Sequence, residues 1–272
     1  FPRGELQPKA RWLRVQALMK LGRRGEALTV LDAELGTDAA GTPRVRRQAR
    51  SLTVEFPSYD LHVDVVPARR RLDGYWEIPT RDGEWQATNP ENLTALKSAM
   101  NDTYNGDYVR IVKLIRQTRR TILDSRPGGL FTEMAVYDAC VNSKVSKSGL
   151  TIGYVTALEA IADYLDDKVS WGRQLPDPTM PGRNLSFRAT DKQWESARDR
   201  FRSAAKRARD AYDEPDSGKA AVAFRALLGR NGDGDLVFPM PPGYDEDGTK
   251  KASASLITPG SPIVPAGDRR FG

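Results

Sequence analysis

A single cysteine, Cys140, among 272 residues excludes an intrachain disulfide and any cysteine-based zinc site. Its setting, Met134-Ala135-Val136-Tyr137-Asp138-Ala139-Cys140, is helical and mostly apolar, which predicts a buried structural thiol. Histidine is equally scarce, with His62 alone, so an H-E-x-x-H metal helix is excluded. The chain also lacks a G-x-x-x-x-G-K-[ST] loop, a G-x-S-x-G elbow and a dinucleotide fingerprint. Asn231-Gly232-Asp233-Gly234-Asp235 has the look of a calcium loop but lacks the glycine at position six and the glutamate at twelve; a glycine-rich turn is expected. No run of eighteen apolar residues occurs and no signal peptide opens the sequence, so no membrane anchor is expected and the cytoplasm is the expected compartment.

What is present is an excess of positive charge, +6 over 42 basic and 36 acidic residues, which suits an anionic partner. The charge is spread along the chain. Arg44, Arg46, Arg47 and Arg50 stud an early segment, Arg69-Arg70-Arg71 form a cluster, and Arg198 to Arg209 alternate with acids on a late helix that reads as a solvated face. Arginines 69 to 71 suit either triphosphate steering or a soluble loop.

Periodicity predicts two packed helices over 8–21 and 25–35, a strand over 45–56, and a second strand over 61–66 paired with it across Pro57-Ser58-Tyr59-Asp60. After Asn89-Pro90 the pattern is helical, near 91–104, 108–124, 129–143, 151–168, 190–212 and 217–229. The class is α+β, a sheet lobe followed by a helical lobe. From Pro239 onward the chain is rich in Pro, Gly, Ser and Asp without periodicity, and mobility is expected there.

Leu61-His62-Val63-Asp64-Val65-Val66-Pro67-Ala68 carries the main chemical signal. Alternation sends Leu61, Val63 and Val65 to one face and His62, Asp64 and Val66 to the other. A carboxylate on a β-branched platform has a fixed direction. His62 shares its face but stands about 7 Å along the strand, beyond direct hydrogen bonding, so a structural or substrate-lining role is expected. In the helix over 108–124, Tyr108, Ile111, Val112, Ile115 and Ile122 form an apolar face, with Lys113, Arg116 and Arg120 along another. Trp76, Trp85 and Tyr75 offer ring faces for either core packing or base stacking.

The order V-D-V-V-P-A, Ile78-Pro79, Trp85 to Thr88-Asn89-Pro90, then the helix bearing Lys113, resembles the nucleotidyltransferases of the oligoadenylate synthase and cyclic GMP-AMP synthase superfamily. Within it the likeness is to the bacterial enzymes that make cyclic oligonucleotide signals in antiphage defence. Asp177-Pro178 to Asn184, the helix after Thr190, and Phe238-Pro239 extend the resemblance over residues 43–240.

The resemblance implies a polymerase β-like sheet lobe with a C-terminal helical lobe: a nucleotidyltransferase core over 1–106, a helical nucleotide-binding lobe over 107–240 and a flexible tail over 241–272. It implies Mg2+ (or Mn2+), Asp64 as catalytic carboxylate and metal ligand, and Lys113 on the donor triphosphate; Arg116 on the basic stripe, His62 beside Asp64 and the Trp85 ring are further nucleotide-binding candidates by their own chemistry. Substrates would be ATP, GTP or other nucleoside triphosphates, joined into a cyclic di- or trinucleotide for a downstream effector, without need of nucleic acid. A glycine end on a reachable tail implies a ubiquitin-like conjugating enzyme acting at Gly272.

One departure limits this. The family's G-S motif and D-x-D pair do not occur here, and Asp60 lies about 13 Å from Asp64 along the strand, too far to share a metal. The first residue, Phe1, is not Met, and an N-terminal segment is expected to be missing from the sequence. A catalytically inactive nucleotide-binding or scaffold protein, and an RNA-terminal nucleotidyltransferase of the poly(A) polymerase kind, remain as alternatives.

Overall fold

The structure, a computed structural model, describes residues 14–15, 17–18, 21, 23–37, 44–48, 51–56, 61–80, 84–123 and 126–251. These fall into two compact units, one drawn from Phe1–Thr94 with Pro178–Met180, the other from Ala95–Asp177 with Pro181–Gly272. The division thus falls at 94/95, ahead of the expected 106, and residues 241–251 go with the second unit. The expected breaker Thr42-Pro43, the turn at Pro57-Ser58-Tyr59-Asp60, Arg50, most of the first expected helix, and the chain end with Gly272 lie outside the described residues.

In the first unit, helix α1 (Arg24–Leu35) packs with a three-stranded antiparallel sheet of β1 (Val45–Arg47), β2 (Leu52–Phe56) and β3 (Leu61–Val65). The sheet turns its β-branched face to the helix. Ala27 and Leu31 of α1, with Val15 and Leu18, form one core with Val45, Leu52 and Val54, and Val30, Phe56 and Val65 border it. The single strand expected over 45–56 is instead a hairpin. Gln48 donates its backbone N–H to Ser51 O at 2.9 Å, and Val45 pairs with Val54, so β1 and β2 are antiparallel neighbours and not one continuous strand. On β3 the apolar face is only partly covered, with Leu61 53% and Val63 42% exposed.

A second antiparallel sheet follows, β4 (Arg69–Arg70), β5 (Trp76–Pro79) and β6 (Trp85–Thr88). Asn89 then starts helix α2 (Pro90–Thr103), its Oδ1 accepting Asn92 N–H at 3.1 Å with proline in the first helical position.

The second unit is helical: α3 (Asp107–Ile122), α4 (Gly129–Val141), α5 (Leu150–Trp171), α6 (Asp191–Asp213) and α7 (Ser217–Leu228). Gly106, at φ 87°, makes the sharp entry into α3 that a side chain would strain. The expected apolar face of α3 is the buried one, Tyr108, Ile111, Val112 and Ile115. It lies so near α5 that a Cβ on Gly153 would stand 2.7 Å from Ile111 Cδ1. Phe131, Phe201, Leu158, Ile161 and Leu165 fill the centre of the unit, and Trp194 meets Phe131 edge-on at 5.1 Å. Helix α6 opens with a capping box between Thr190 and Gln193. Cys140 is buried in α4, and burial pushes its thiol up to about 11, beyond reactive range.

The expectation of mobility from Pro239 fails over 239–251. Phe238 stacks on Phe224 at 5.2 Å, Arg225 Nε donates to Phe238 O at 2.9 Å, and Tyr244 bridges to Lys250 in a turn laid against Gly218 of α7. Composition alone does not register such anchoring. The segment 231–235 is the turn expected of it, with Asn231 Oδ1 accepting the N–H groups of Asp233 at 3.0 Å and Asp235 at 2.8 Å. No described helix is long and apolar enough to cross a membrane.

Candidate functional site

The sheet register fixes the surroundings of Asp64. Asp64 stands opposite Thr53 and His62 opposite Glu55, so all four share one face with Arg46. Thr53, itself buried, donates its hydroxyl to Asp64 Oδ1 at 2.6 Å, and Gln48 Nε2 donates to the same oxygen at 3.2 Å. Two donors on one oxygen aim the carboxylate of this exposed residue and leave its second oxygen without a hydrogen bond among the described residues. His62 is exposed, and Glu55 is taken up by an ion pair with Arg46. Sequence reading did not find Thr53 and Gln48, because their role depends on a hairpin register that one strand does not reveal.

These residues do not by themselves fit a divalent cation. Among the described residues no three His, Cys, Asp or Glu side chains gather in a group that could hold one. Among the described residues Asp64 offers one unpaired oxygen, and the other carboxylate on its face, Glu55, is neutralised by Arg46. In-line phosphoryl transfer with two metals needs several converging carboxylates.

Trp85 is already partnered. The Arg69 guanidinium lies 4.2 Å from the ring centroid, and its Nε donates to Glu77 at 2.7 Å. Arg71 reaches the same carboxylate at 3.0 Å, and Arg70 lies 6.0 Å from the Trp76 ring. The cluster at 69–71 is therefore built into the second sheet through Glu77 and two indoles. The hydrogen bond from Arg69, with Arg71 adding to it, holds Glu77 below the usual carboxylate range against the opposing effect of burial.

In the second unit, Arg110, Lys113, Arg116 and Arg120 line one side of a cleft of about 770 Å³. Their spacing of three or four residues places them on one face of α3. Gln117 Nε2 closes the cleft by donating to Leu228 O at 2.7 Å and Arg230 O at 2.8 Å, which draws the segment carrying Asn231 and Val237 against the helix. Lys113 and Arg116 are thus brought together, while Arg110 and Asn231 join them unforeseen. Arg110 stands three residues before Lys113 and was legible from helical spacing; Asn231 was not, since only the Gln117 bonds bring it there.

The cations differ in how they are held. Arg116 approaches Glu133 of α4 at 3.8 Å, and Lys97 Nζ bonds the same carboxylate at 2.7 Å. Arg110 pairs with Asp107 at 3.4 Å. Lys113 and Arg120 have no ion pair among the described residues. Arg119 turns away and donates to Pro127 O at 2.7 Å; burial, with repulsion from Arg120, Arg126 and Arg116, lowers its pKa. A solvated cleft with several cations and few counter-ions is a place for a polyanion.

The fold of the chain is similar to that of solved structures that include a CD-NTase. The solved structure of CdnC with ATP from E. coli MS115-1 matches with a TM-score of 0.56 at 18% identity, covering 78% of this chain and 71% of that one. CdnG of Bradyrhizobium diazoefficiens in complex with GTP matches with a TM-score of 0.53 at 17% identity, over 74% and 71% of the two chains. In sequence the chain is 28% identical over 230 residues to a cyclic AMP-AMP-AMP synthase from an Acinetobacter strain, across 79% of this chain. It spans 64% of that relative's length. No family model matches the chain.

Proposed function

We propose that the chain is part of a nucleotidyltransferase that joins nucleoside triphosphates into a cyclic di- or trinucleotide, a soluble messenger acting in the cytoplasm on an antiviral effector. The observation that carries this is the cleft on α3, where Lys113 lies unpaired among the described residues beside Arg110, Arg116 and Arg120, in a fold shared with enzymes solved with ATP and GTP. The ammonium of Lys113 would neutralise triphosphate oxygens as a compact charge, and Arg116, tethered by Glu133, would add a planar donor. Asp64, oriented by Thr53 and Gln48, would accept the proton of an attacking ribose hydroxyl. His62 and Trp85 are further nucleotide-binding candidates, both in the first unit.

Mg2+ or Mn2+ would be the cofactor by likeness. Since the described residues supply one available carboxylate on the Asp64 face, no step is derived through the metal. That same scarcity favours a second reading, a protein that binds triphosphate without turnover.

The test is incubation of the protein expressed from its whole gene with labelled ATP and GTP and Mg2+. A phosphatase-resistant product formed without primer is expected. Asp64→Ala should reduce it at least about a hundredfold, and Lys113→Ala should weaken ATP binding about tenfold or more, as loss of a charge-assisted bond implies. Triphosphate binding without product would establish the second reading. Undiminished product from Asp64→Ala would reject the assignment of that residue.

A further inference from the structure

Apart from the cleft on α3, the second unit holds a smaller and more enclosed pocket of about 270 Å³ between the last turn of α5, the first turn of α6 and residues 174–175 and 184–187. A short hairpin builds its rim. Pro176 bridges to Asn184, Leu185 N–H donates to Leu175 O at 2.8 Å and Asp177 N–H to Arg183 O at 2.9 Å. Alternation then puts Asn184 and Ser186 on the same side. The wall is aromatic: Trp194 and Phe187 meet edge-on at 6.4 Å between centroids.

The charge in this pocket is unbalanced. On α5 the acids next to Lys168 are already taken, Asp166 by Arg202 and Asp167 by Arg173 at 2.9 Å, while Arg173 also reaches Asp138 at 3.4 Å. Lys168, half-buried, has no ion pair among the described residues; its Nζ lies 5.6 Å from the Trp194 ring centroid. A ring quadrupole and a helix C-terminus both favour a cation there, but neither supplies a counter-ion. The side chains of Asn184 and Ser186 likewise have no hydrogen-bond partner among the described residues, and no carboxylate lines the pocket.

We propose that this pocket binds a small organic carboxylate. Lys168 is its counter-ion, Asn184 and Ser186 donate hydrogen bonds to it, and Trp194 and Phe187 take its apolar body. The volume corresponds to about nine water molecules of liquid, enough for a single-ring or short-chain acid. A lone ammonium with neutral donors matches a monoanion, whereas the cleft on α3 collects several cations. The two sites are recognised by different chemistry, and this proposal does not depend on the triphosphate reading.

Benzoate is the probe, followed by saturation-transfer NMR on the intact protein, with inorganic phosphate as competitor. Saturable binding is expected, weakened at least about tenfold by Lys168→Met, which keeps the apolar stem against Trp194 while removing the charge. Asn184→Ala, at an exposed position, should weaken it less and serves as the second variant should Lys168→Met not fold. Phosphate should fail to displace benzoate. Absence of saturable binding, or equal binding by the variants, overturns the site. Displacement by phosphate at lower concentration than benzoate itself overturns the carboxylate class in favour of a phosphorylated ligand.

Discussion

The guanidinium of Arg116 lies across the backbone of Gly129, so close that a Cβ on that glycine would stand 3.2 Å from Nε and 3.3 Å from Nη2. One helical turn further, Glu133 meets the same guanidinium. A missing side chain and a carboxylate on α4 together set the position of a cleft cation on α3.

Gly129→Ala should therefore push Arg116 aside by a few tenths of an ångström without harming the fold, because alanine favours a helix over glycine by up to about 1 kcal/mol. ATP affinity measured by calorimetry should fall, though less than for Lys113→Ala, while the thermal midpoint does not drop. A lower midpoint with unchanged affinity would contradict the arrangement.

The Tyr108 hydroxyl is buried without a hydrogen-bond partner among the described residues. Burial, chiefly, also raises its pKa well above the ordinary value, so the neutral phenol persists throughout the accessible range. Tyr108→Phe removes an unsatisfied polar atom and keeps the edge-on contact with Tyr137 at 6.4 Å. Urea unfolding should show it equal to or more stable than the parent by up to about 1 kcal/mol. A clear loss would mean the hydroxyl has a partner.

Gly218 admits no side chain, since a Cβ would stand 2.2 Å from Gly248 O and 2.2 Å from the Tyr244 ring. Gly218→Ala should release residues 239–251 from α7. Limited proteolysis should then cut near Tyr244 at least about tenfold faster than in the parent, while helix content by circular dichroism is retained.

Glu77 links the second sheet to pH. Its pKa is depressed in the folded chain, so its contribution is present above the ordinary glutamate value of about 4.3 and is lost as pH falls through the folded value. Acid unfolding followed through tryptophan fluorescence should begin at lower stability in Glu77→Gln at neutral pH and show a shallower further decline below about pH 4. A decline as steep as the parent's would assign the acid sensitivity to other carboxylates.

Helices were the most legible part of the sequence. Six of them, from α2 to α7, announce themselves by apolar spacing, and on α3 the same spacing puts Lys113 and Arg116 on one face. The hairpin of β1 and β2 was not legible, because Gln48-Ala49-Arg50-Ser51 continues an arginine-rich run with no glycine or proline between Arg47 and Leu52 to mark a turn. The order of residues 239–251 was hidden for a different reason. It rests on Gly218 and Phe224, distant in sequence, and composition reports only local tendencies. Asp64 was found by its strand, whereas the Thr53 and Gln48 donors that aim it required knowing which residue lies across the ladder.

Arg110, Lys113, Arg116 and Arg120 run along about 15 Å of α3, each within about 6 Å of the next at the level of Cβ. That spacing is shorter than the screening distance of about 8 Å at physiological ionic strength, so the four charges act on an incoming anion as one field. Raising the salt until screening falls to about 3 Å, near 1 M, separates them into single cations. The cleft is in this sense a sensor of ionic strength, with its reach set by the pitch of one helix.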